Sequence, residues 1–236
     1  MLGRTFQWDT TPPAEYRITD SSVTGAPANG VRFLLYQVDT ATGKPSLPLQ
    51  TTGYLDLTDA STAQANVLQL LLKVGSQTAA NYTITEVKTT TSLSLTAAGY
   101  VANVVSGGAT VHFTLSHMLA LADSSLSTNY QASDGSATVS LVSSISGSGG
   151  TPTLTMDWTV TKGGSVEIVG TSTDSAINVQ FKVNGATIAT VVGTPLSLTV
   201  TPPTAPVAAL GTMLDGFLAI YYNLSLVFVP SFLVFG

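Results

Sequence analysis

The two histidines are the residues best suited to acid–base or metal chemistry in this chain. His112 and His117 lie five positions apart in the sequence VHFTLSH. On a β-strand an odd separation places two side chains on opposite faces. The spacing therefore predicts that the two imidazoles do not ligate one metal ion, and both are expected to be structural or surface residues.

The carboxylates form no recognisable motif either. Asp56 and Asp59 could bind Ca²⁺ together with loop carbonyls, but no D-x-D-x-D-G loop follows them. Asp157 stands beside Trp158 in an alternating run and should face solvent, and turns separate it from Glu167, so a pair of hydrolase carboxylates is not expected. No G-x-S-x-G sequence occurs. The chain is predicted not to be an enzyme, with no catalytic, cofactor-binding or metal-binding residues.

Modification and sugar binding are the remaining chemistries to consider. Asn81 and Asn223 each begin an N-x-S/T sequon and are candidate glycan acceptors. Five aromatic residues could stack on sugars, although aromatic side chains in β-sandwiches are usually core residues. These are Trp8, Trp158, Tyr16, Tyr54 and Tyr100.

The composition explains why so little chemistry is visible. Only 9% of the 236 residues are charged, against about 25% in a typical soluble domain. Instead, 36 Thr and 25 Ser supply most of the polar surface. Eight Lys and Arg against 13 Asp and Glu argue against a nucleic-acid partner. The absence of cysteine from the sequence excludes disulfides and thiolate sites.

Short alternating apolar runs between Gly, Pro, Asn and Ser predict many strands. One segment, residues 66–75, could end a helix begun at Asp59 or pair as a strand with residues 82–88, and the strand is favoured. Asn184-Gly185 predicts a hairpin with a type I′ turn, because both residues tolerate positive φ. The other strands are expected at 5–8, 16–19, 31–38, 53–57, 92–96, 110–115, 137–142, 153–160, 165–170, 177–183, 186–192 and 196–201.

These elements predict an all-β chain of two antiparallel β-sandwich (jelly-roll or Ig-like) domains. The N-terminal sandwich is expected at residues 1–120 and the Ig-like sandwich at 136–203. The Ser/Gly-rich composition between them indicates a linker at 121–135, with a long surface loop inside one domain as the alternative. Residues 204–236 are expected to be a Pro-rich spacer and an apolar C-terminal segment.

Three segments of the second half resemble the Ig-like repeat module of prokaryotic surface and adhesion proteins. They are GSVEIVGT at 164–171, VQFKVNG at 179–185 and LSLTVT at 196–201. The family's closing aromatic strand has no obvious counterpart. This resemblance implies a module that spaces, packs or adheres and does not catalyse. In composition the whole chain resembles the Thr/Ser/Val-rich β structural proteins of viruses of thermophilic archaea.

Residues 216–236 contain no charge, and 21 residues are enough to span a membrane as a helix. Three interpretations stay open: an internal or returning strand, which is favoured, an intersubunit tail, and membrane contact. A run this apolar should be covered by packing. The residues expected at an oligomer interface are Phe217, Tyr221, Tyr222, Leu224, Leu226, Phe228, Phe232 and Phe235.

The sequence therefore predicts a non-enzymatic structural subunit of an extracellular assembly, most simply a virion protein of a capsid, turret, spike or tail. Its expected partners are copies of itself and other subunits of the particle, without nucleic acid or cofactors. The N-terminus shows no apolar signal sequence, and release of virions would explain how the chain reaches the outside. The alternatives are a cell-surface filament or adhesin subunit that uses strand addition, and a carbohydrate-binding module.

Overall fold

The computed structural model describes residues 2–18, 24–102, 108–146, 152–202 and 205–224, and for residues 218 and 220–224 it describes the backbone only. These residues form fifteen strands and one helix. The strands are β1 (Arg4–Asp9), β2 (Glu15–Ile18), β3 (Gly30–Tyr36), β4 (Thr51–Asp59), β5 (Asn66–Val74), β6 (Gln77–Lys88), β7 (Ser92–Ala102), β8 (Thr110–Ala120), β9 (Ser125–Ser133), β10 (Thr138–Ser146), β11 (Thr153–Thr161), β12 (Ser165–Ser172), β13 (Ile177–Val183), β14 (Ala186–Thr194) and β15 (Ser197–Thr201). The helix is α1 (Val207–Leu224).

All fifteen strands belong to one sheet, in which neighbours in sequence are mostly neighbours in space. From one edge the order runs from β15 down to β3, and β1 and β2 complete the other edge. β1 pairs parallel with β3 and antiparallel with β2. The prediction of an all-β chain is confirmed, but the strands form a single sheet and not two sandwich domains. Alternation shows that a strand buries one face, and it does not specify whether a second sheet or a helix covers that face.

Two local predictions are confirmed. Residues 66–74 form strand β5 and not a helix, because alternation places Leu68 and Leu70 in the core, at 1% and 5% exposure. The hairpin between β13 and β14 turns at Asn184 and Gly185, whose φ angles are +50° and +77°. Both values are those that a two-residue type I′ turn requires.

The chain divides into two compact units. Unit 1 comprises residues 1–85 and 99–110, and unit 2 comprises residues 86–98 and 111–236. Strands β6 and β7 each contribute residues to both units. The domain limits expected from the sequence stay a prediction, but the residues assigned there to a linker, 121–135, include strand β9.

Strand β9 is paired along its whole length with β8 on one side and largely with β10 on the other. The turn to β10 is built by Asp134, whose Oδ1 accepts backbone N–H bonds from Ala137 at 2.7 Å and Ser136 at 2.8 Å. These bonds lower the pKa of Asp134 to about 2. A carboxylate fixed in this way stabilises the sharp reversal.

The core of unit 2 lies on one face of its strands. There the register aligns a central apolar row from β8 to β14. Leu141 and Ile168 in this row are fully buried, and Trp158 is 4% exposed. The members of the central apolar row are Leu115, Tyr130, Leu141, Trp158, Ile168, Phe181 and Ala189.

Helix α1 packs on this same face. Leu210 and Phe217 are buried, and the ring centroids of Phe217 and Trp158 are 5.8 Å apart. The strand favoured for residues 216–224 is therefore wrong, because these residues continue a helix. Within the described ranges, no helix is both long and apolar enough to span a bilayer.

Unit 1 has its own core and an aromatic cluster at the β2 edge. Leu68 and Ile84 are almost completely buried. At the edge, the rings of Phe6 and Phe33 stack with their centroids 4.9 Å apart. The Tyr16 ring makes edge-to-face contacts with the rings of Phe33 and Trp8, at centroid distances of 5.6 and 5.5 Å. The Tyr16 hydroxyl donates a hydrogen bond to the Leu34 carbonyl at 2.9 Å, which holds β2 against the sheet.

Candidate assembly surface

Unit 2 presents a second apolar row on the same face as the central one, four residues away along each strand and nearer one end of the strands. The register aligns large apolar residues from β8 to β15, interrupted by Ser172 on β12 and Gly193 on β14. Unlike the central row, this outer apolar row is partly exposed: Ile145 is 38% and Leu198 is 52% exposed, and the other four members are half-buried. The residues of the outer apolar row are Leu119, Leu126, Ile145, Leu154, Ile177 and Leu198.

The opposite face of the same strands is polar. One row across it reads Ser116, Asn129, Val142, Asp157, Val169, Gln180, Thr190 and Thr201. Alternation thus places the Leu, Ile and aromatic side chains mostly on one face and most of the Ser, Thr, Asn and Gln side chains on the other. Unit 2 has one face suited to water and one face suited to packing.

One residue of β12 in the row between the central and outer apolar rows is a glycine, and the close approach of β13 explains it. A Cβ at Gly170 would collide with the backbone carbonyl oxygen of Asn178 on β13. Glycine therefore lets β12 and β13 approach at this point. The glycine belongs to the segment that carries the Ig-like resemblance, where it has a packing role.

A depression of about 270 Å³ lies on unit 2 over strands β8 to β11. Asn129, Asp157 and Ser144 are among the residues that line it. Carboxylate, amide and hydroxyl groups of this kind can hydrogen-bond a polar ligand. Asp157 is exposed, as the sequence predicts.

The two carboxylates considered for hydrolysis lie on the same face of unit 2 but have different surroundings. Asp157 lies opposite Val169, and Glu167 lies two residues before Val169 on β12. Glu167 accepts a hydrogen bond from Lys182 Nζ at 3.0 Å across the β12–β13 pair. Its carboxylate is thus engaged in a cross-strand ion pair, and it does not line the depression next to Asp157.

The two histidines lie on opposite faces of β8. His112 is exposed on the polar face. His117 is half-buried on the apolar face, and its Nδ1 lies 2.9 Å from Thr128 Oγ1. Burial lowers the pKa of His117, which favours the neutral imidazole. Within the described residues no group of three or more His, Cys, Asp or Glu could hold a metal ion.

Asp56, one of the two candidate Ca²⁺ ligands, is paired inside unit 1. Both of its oxygens accept hydrogen bonds from Arg32, from Nε and from one terminal nitrogen, each at 2.7 Å. Asp59 instead accepts the backbone N–H of Ser61 at 2.9 Å, and hydrogen bonding from the Ser61 side chain and from this N–H lowers the pKa of Asp59. The two carboxylates thus serve a cross-strand ion pair and a turn.

The remaining candidates are distributed over both units. Trp8 and Tyr16 share the aromatic cluster of the β2 edge, whereas Trp158 is buried against α1. The Arg32 guanidinium lies over the ring of Tyr54, and the distance from Arg32 Cζ to the ring centroid is 3.7 Å. Tyr100 lies on β7, and Asn81 is exposed on β6.

The residues expected at an oligomer interface are only partly described. Phe217 is 3% exposed and packs within its own chain, so it differs from the expected interface role. Tyr221, Tyr222, Asn223 and Leu224 belong to the backbone of α1, and their side chains lie outside the described structure. Leu226, Phe228, Phe232 and Phe235 lie outside the described residues.

Comparison of the chain with protein-family models, with curated proteins and with solved structures finds no match. The surface that sequence reasoning missed is the outer apolar row. Three of its members, Leu154, Ile177 and Leu198, fall in strands predicted from the sequence, the other three fall outside the predicted strands, and only the register brings all six side by side. The spacing of large apolar residues near strand ends was the available signal.

Proposed function

We propose that this protein is a non-enzymatic structural subunit of an extracellular assembly, most simply a virion component, which acts by packing against copies of itself. The observation that carries the proposal is the outer apolar row of unit 2. It extends across the strands from β8 to β15 and ends at Leu198, which is 52% exposed. Apolar side chains that stay partly exposed in one row across a sheet are candidates for an interaction site.

The opposite, polar face supports the same function. Ser, Thr, Asn and Gln keep that face solvated without adding net charge. Carboxylates would titrate in acidic water, whereas hydroxyls keep their state. A subunit clad in this way suits a particle surface exposed to the environment, which agrees with the compositional resemblance to virion proteins.

Two variants on one strand test this proposal. Ile145 and Val142 both lie on β10 and are similarly exposed, at 38% and 44%. Ile145 belongs to the outer apolar row, whereas Val142 lies on the polar face. We expect the full chain to sediment as a multi-copy species, Ile145→Asp to shift it towards the monomer, and Val142→Asp to leave it assembled. Sedimentation velocity at several concentrations measures the change.

The result can also contradict the proposal. A wild-type chain that stays monomeric at every concentration would exclude it, and so would equal effects of the two substitutions. Negative-stain microscopy of the wild-type assembly then separates the virion component from the filament alternative. Closed particles or rings favour the former, and open fibres favour a filament subunit.

A further inference from the structure

Strand β15 ends the sheet, and beyond it the described part of the chain supplies no hydrogen-bonded neighbour. Four of its five residues are exposed, and Leu196 just before it is 99% exposed. An edge strand presents unpaired N–H and C=O groups on its outer side. As far as the chain is described, this edge is therefore available to pair with another strand.

The two edges of the sheet differ in how they are protected. β2 carries Glu15 and Arg17, and Arg17 Nη1 lies 3.2 Å from Asp9 Oδ2. Charges of this kind discourage edge-to-edge pairing. β15 reads SLTVT and has neither a charge nor a proline, and no ionisable side chain stands between Lys182 and Asp215 in the sequence. An approaching strand meets no charge in β15 itself.

We propose that β15 pairs antiparallel with β15 of a second copy, about a two-fold axis that passes midway between the two Thr199 residues. In this register Thr199 lies opposite Thr199 of the second copy. Leu198 lies opposite the second copy's Val200, and Ser197 opposite the second copy's Thr201. Thr–Thr and aliphatic cross-strand pairs of this kind are favourable in antiparallel sheets.

The faces of the sheet agree with this pairing. Leu198 lies opposite Gly193 and Val200 opposite Val191, on the apolar face of β14. Thr199 lies opposite Val192 and belongs to the polar face. A two-fold axis perpendicular to the sheet keeps each face on its own side. The apolar faces of the two copies therefore join, with Leu198 of each copy beside Val200 of the other, and the polar faces also join.

This inference deepens the proposed function and rests on it, because it names the contact through which two subunits meet. It commits to a second copy as the occupant of the edge. The strand is its own complement: it brings no charge into the contact, and its residues match in both directions about Thr199. The isologous contact closes on itself and yields a dimer as the first unit of assembly.

A charge at the axis tests the pairing in the full chain. Thr199→Lys places two lysines opposite each other, and we expect the dissociation constant of the dimer to rise at least tenfold. Thr171→Lys is the matched control, because Thr171 is exposed on the same face and in the same cross-strand row, but on the interior strand β12. It should leave the dissociation constant unchanged. Mixing Thr199→Lys with Thr199→Glu should restore dimers.

Cysteine crosslinking tests the register, with no background because the chain has no cysteine. Directly opposed residues of antiparallel strands have Cα atoms about 4.5–5.5 Å apart, within the range of a disulfide. On oxidation the Thr199→Cys variant should form a covalent dimer. The Leu198→Cys variant should not, because its thiols lie opposite Val200.

The outcomes separate this inference from the proposed function. If Thr199→Lys associates as the wild type does, or if Leu198→Cys crosslinks as readily as Thr199→Cys, the edge pairing is wrong while the assembly function stands. If the wild-type chain is monomeric at every concentration, both proposals fail. Loss of association with Thr199→Lys, its retention with Thr171→Lys and rescue by Thr199→Glu together support the pairing.

Discussion

The side chains of Arg32 and Asp56 form an ion pair that few sequence patterns would reveal, because 24 positions separate them. Asp56 is 5% exposed, and the guanidinium bonds both of its oxygens. The ring of Tyr54 lies against the face of the guanidinium. The hydrogen bonds to Asp56 raise the pKa of Arg32. Each partner is satisfied only while the register of β3 and β4 is kept.

Removing one partner should therefore destabilise unit 1 strongly. Asp56→Asn leaves the part-buried Arg32 guanidinium without a counter-charge, and we expect a loss of about 1–3 kcal/mol in the free energy of unfolding. Replacing both residues, Arg32→Met with Asp56→Leu, should cost much less, because no charge is left buried. Urea denaturation of the three proteins measures the differences.

The control for this pair is an exposed one. Glu15 pairs with Arg17 at 3.2 Å, with more than half of its side chain exposed. Glu15→Gln should cost less than about 1 kcal/mol. If Asp56→Asn costs no more than Glu15→Gln, the Arg32–Asp56 pair does not hold the register of β3 and β4.

At the scale of elements, α1 is the part that joins the C-terminal sequence to the sheet. Leu210, Met213, Leu214 and Phe217 follow the i, i+3, i+4, i+7 spacing of one helix face. The two outer members are buried, and Phe217 reaches Trp158 of the central apolar row. The helix supplies the cover that a second sheet would provide in a sandwich.

Truncating the helix contact should cost a large part of the stability of unit 2. For a buried phenylalanine, substitution by alanine typically costs about 3–5 kcal/mol, and we expect this range for Phe217→Ala. Trp158 fluorescence in a Trp8→Phe background reports on unit 2 during urea unfolding, since the chain has only two tryptophans. Val207→Ala, at a 59% exposed position of the same helix, should change stability by less than about 0.5 kcal/mol. Equal effects would mean that α1 does not stabilise the sheet through Phe217.

The strands were predictable where apolar and polar residues alternate clearly, as in β11 and β13. β9 was missed because its inward residues include Thr128 and Ala132, which do not stand out among serines. The second half of α1 was missed because the charge-free run that begins at Gly216 fits a buried strand and a helix equally well. Cross-strand features such as the Arg32–Asp56 pair and the outer apolar row depend on register, which local sequence does not specify.

At the scale of the whole molecule, the scarcity of charge is the feature that both units share. Only 8 Lys and Arg stand against 13 Asp and Glu in 236 residues. Neither the outer apolar row nor the strand β15 contains an ionisable side chain. Association through these surfaces depends on apolar burial and on backbone hydrogen bonds, with little Coulombic contribution.

We therefore expect the assembly to withstand high salt. At 1 M ionic strength the Debye length falls to about 3 Å, and contacts between exposed charges weaken. Exclusion of sulfate from protein surfaces strengthens apolar burial. Sedimentation velocity in 0.05, 0.15 and 1 M NaCl and in ammonium sulfate should give association that is constant or stronger as salt rises, because no attraction between charges is screened. Dissociation between 0.05 and 1 M NaCl would instead assign the contact to the few charged residues, such as those of the β2 edge. The outer apolar row and β15 would then not be the surfaces that join the subunits.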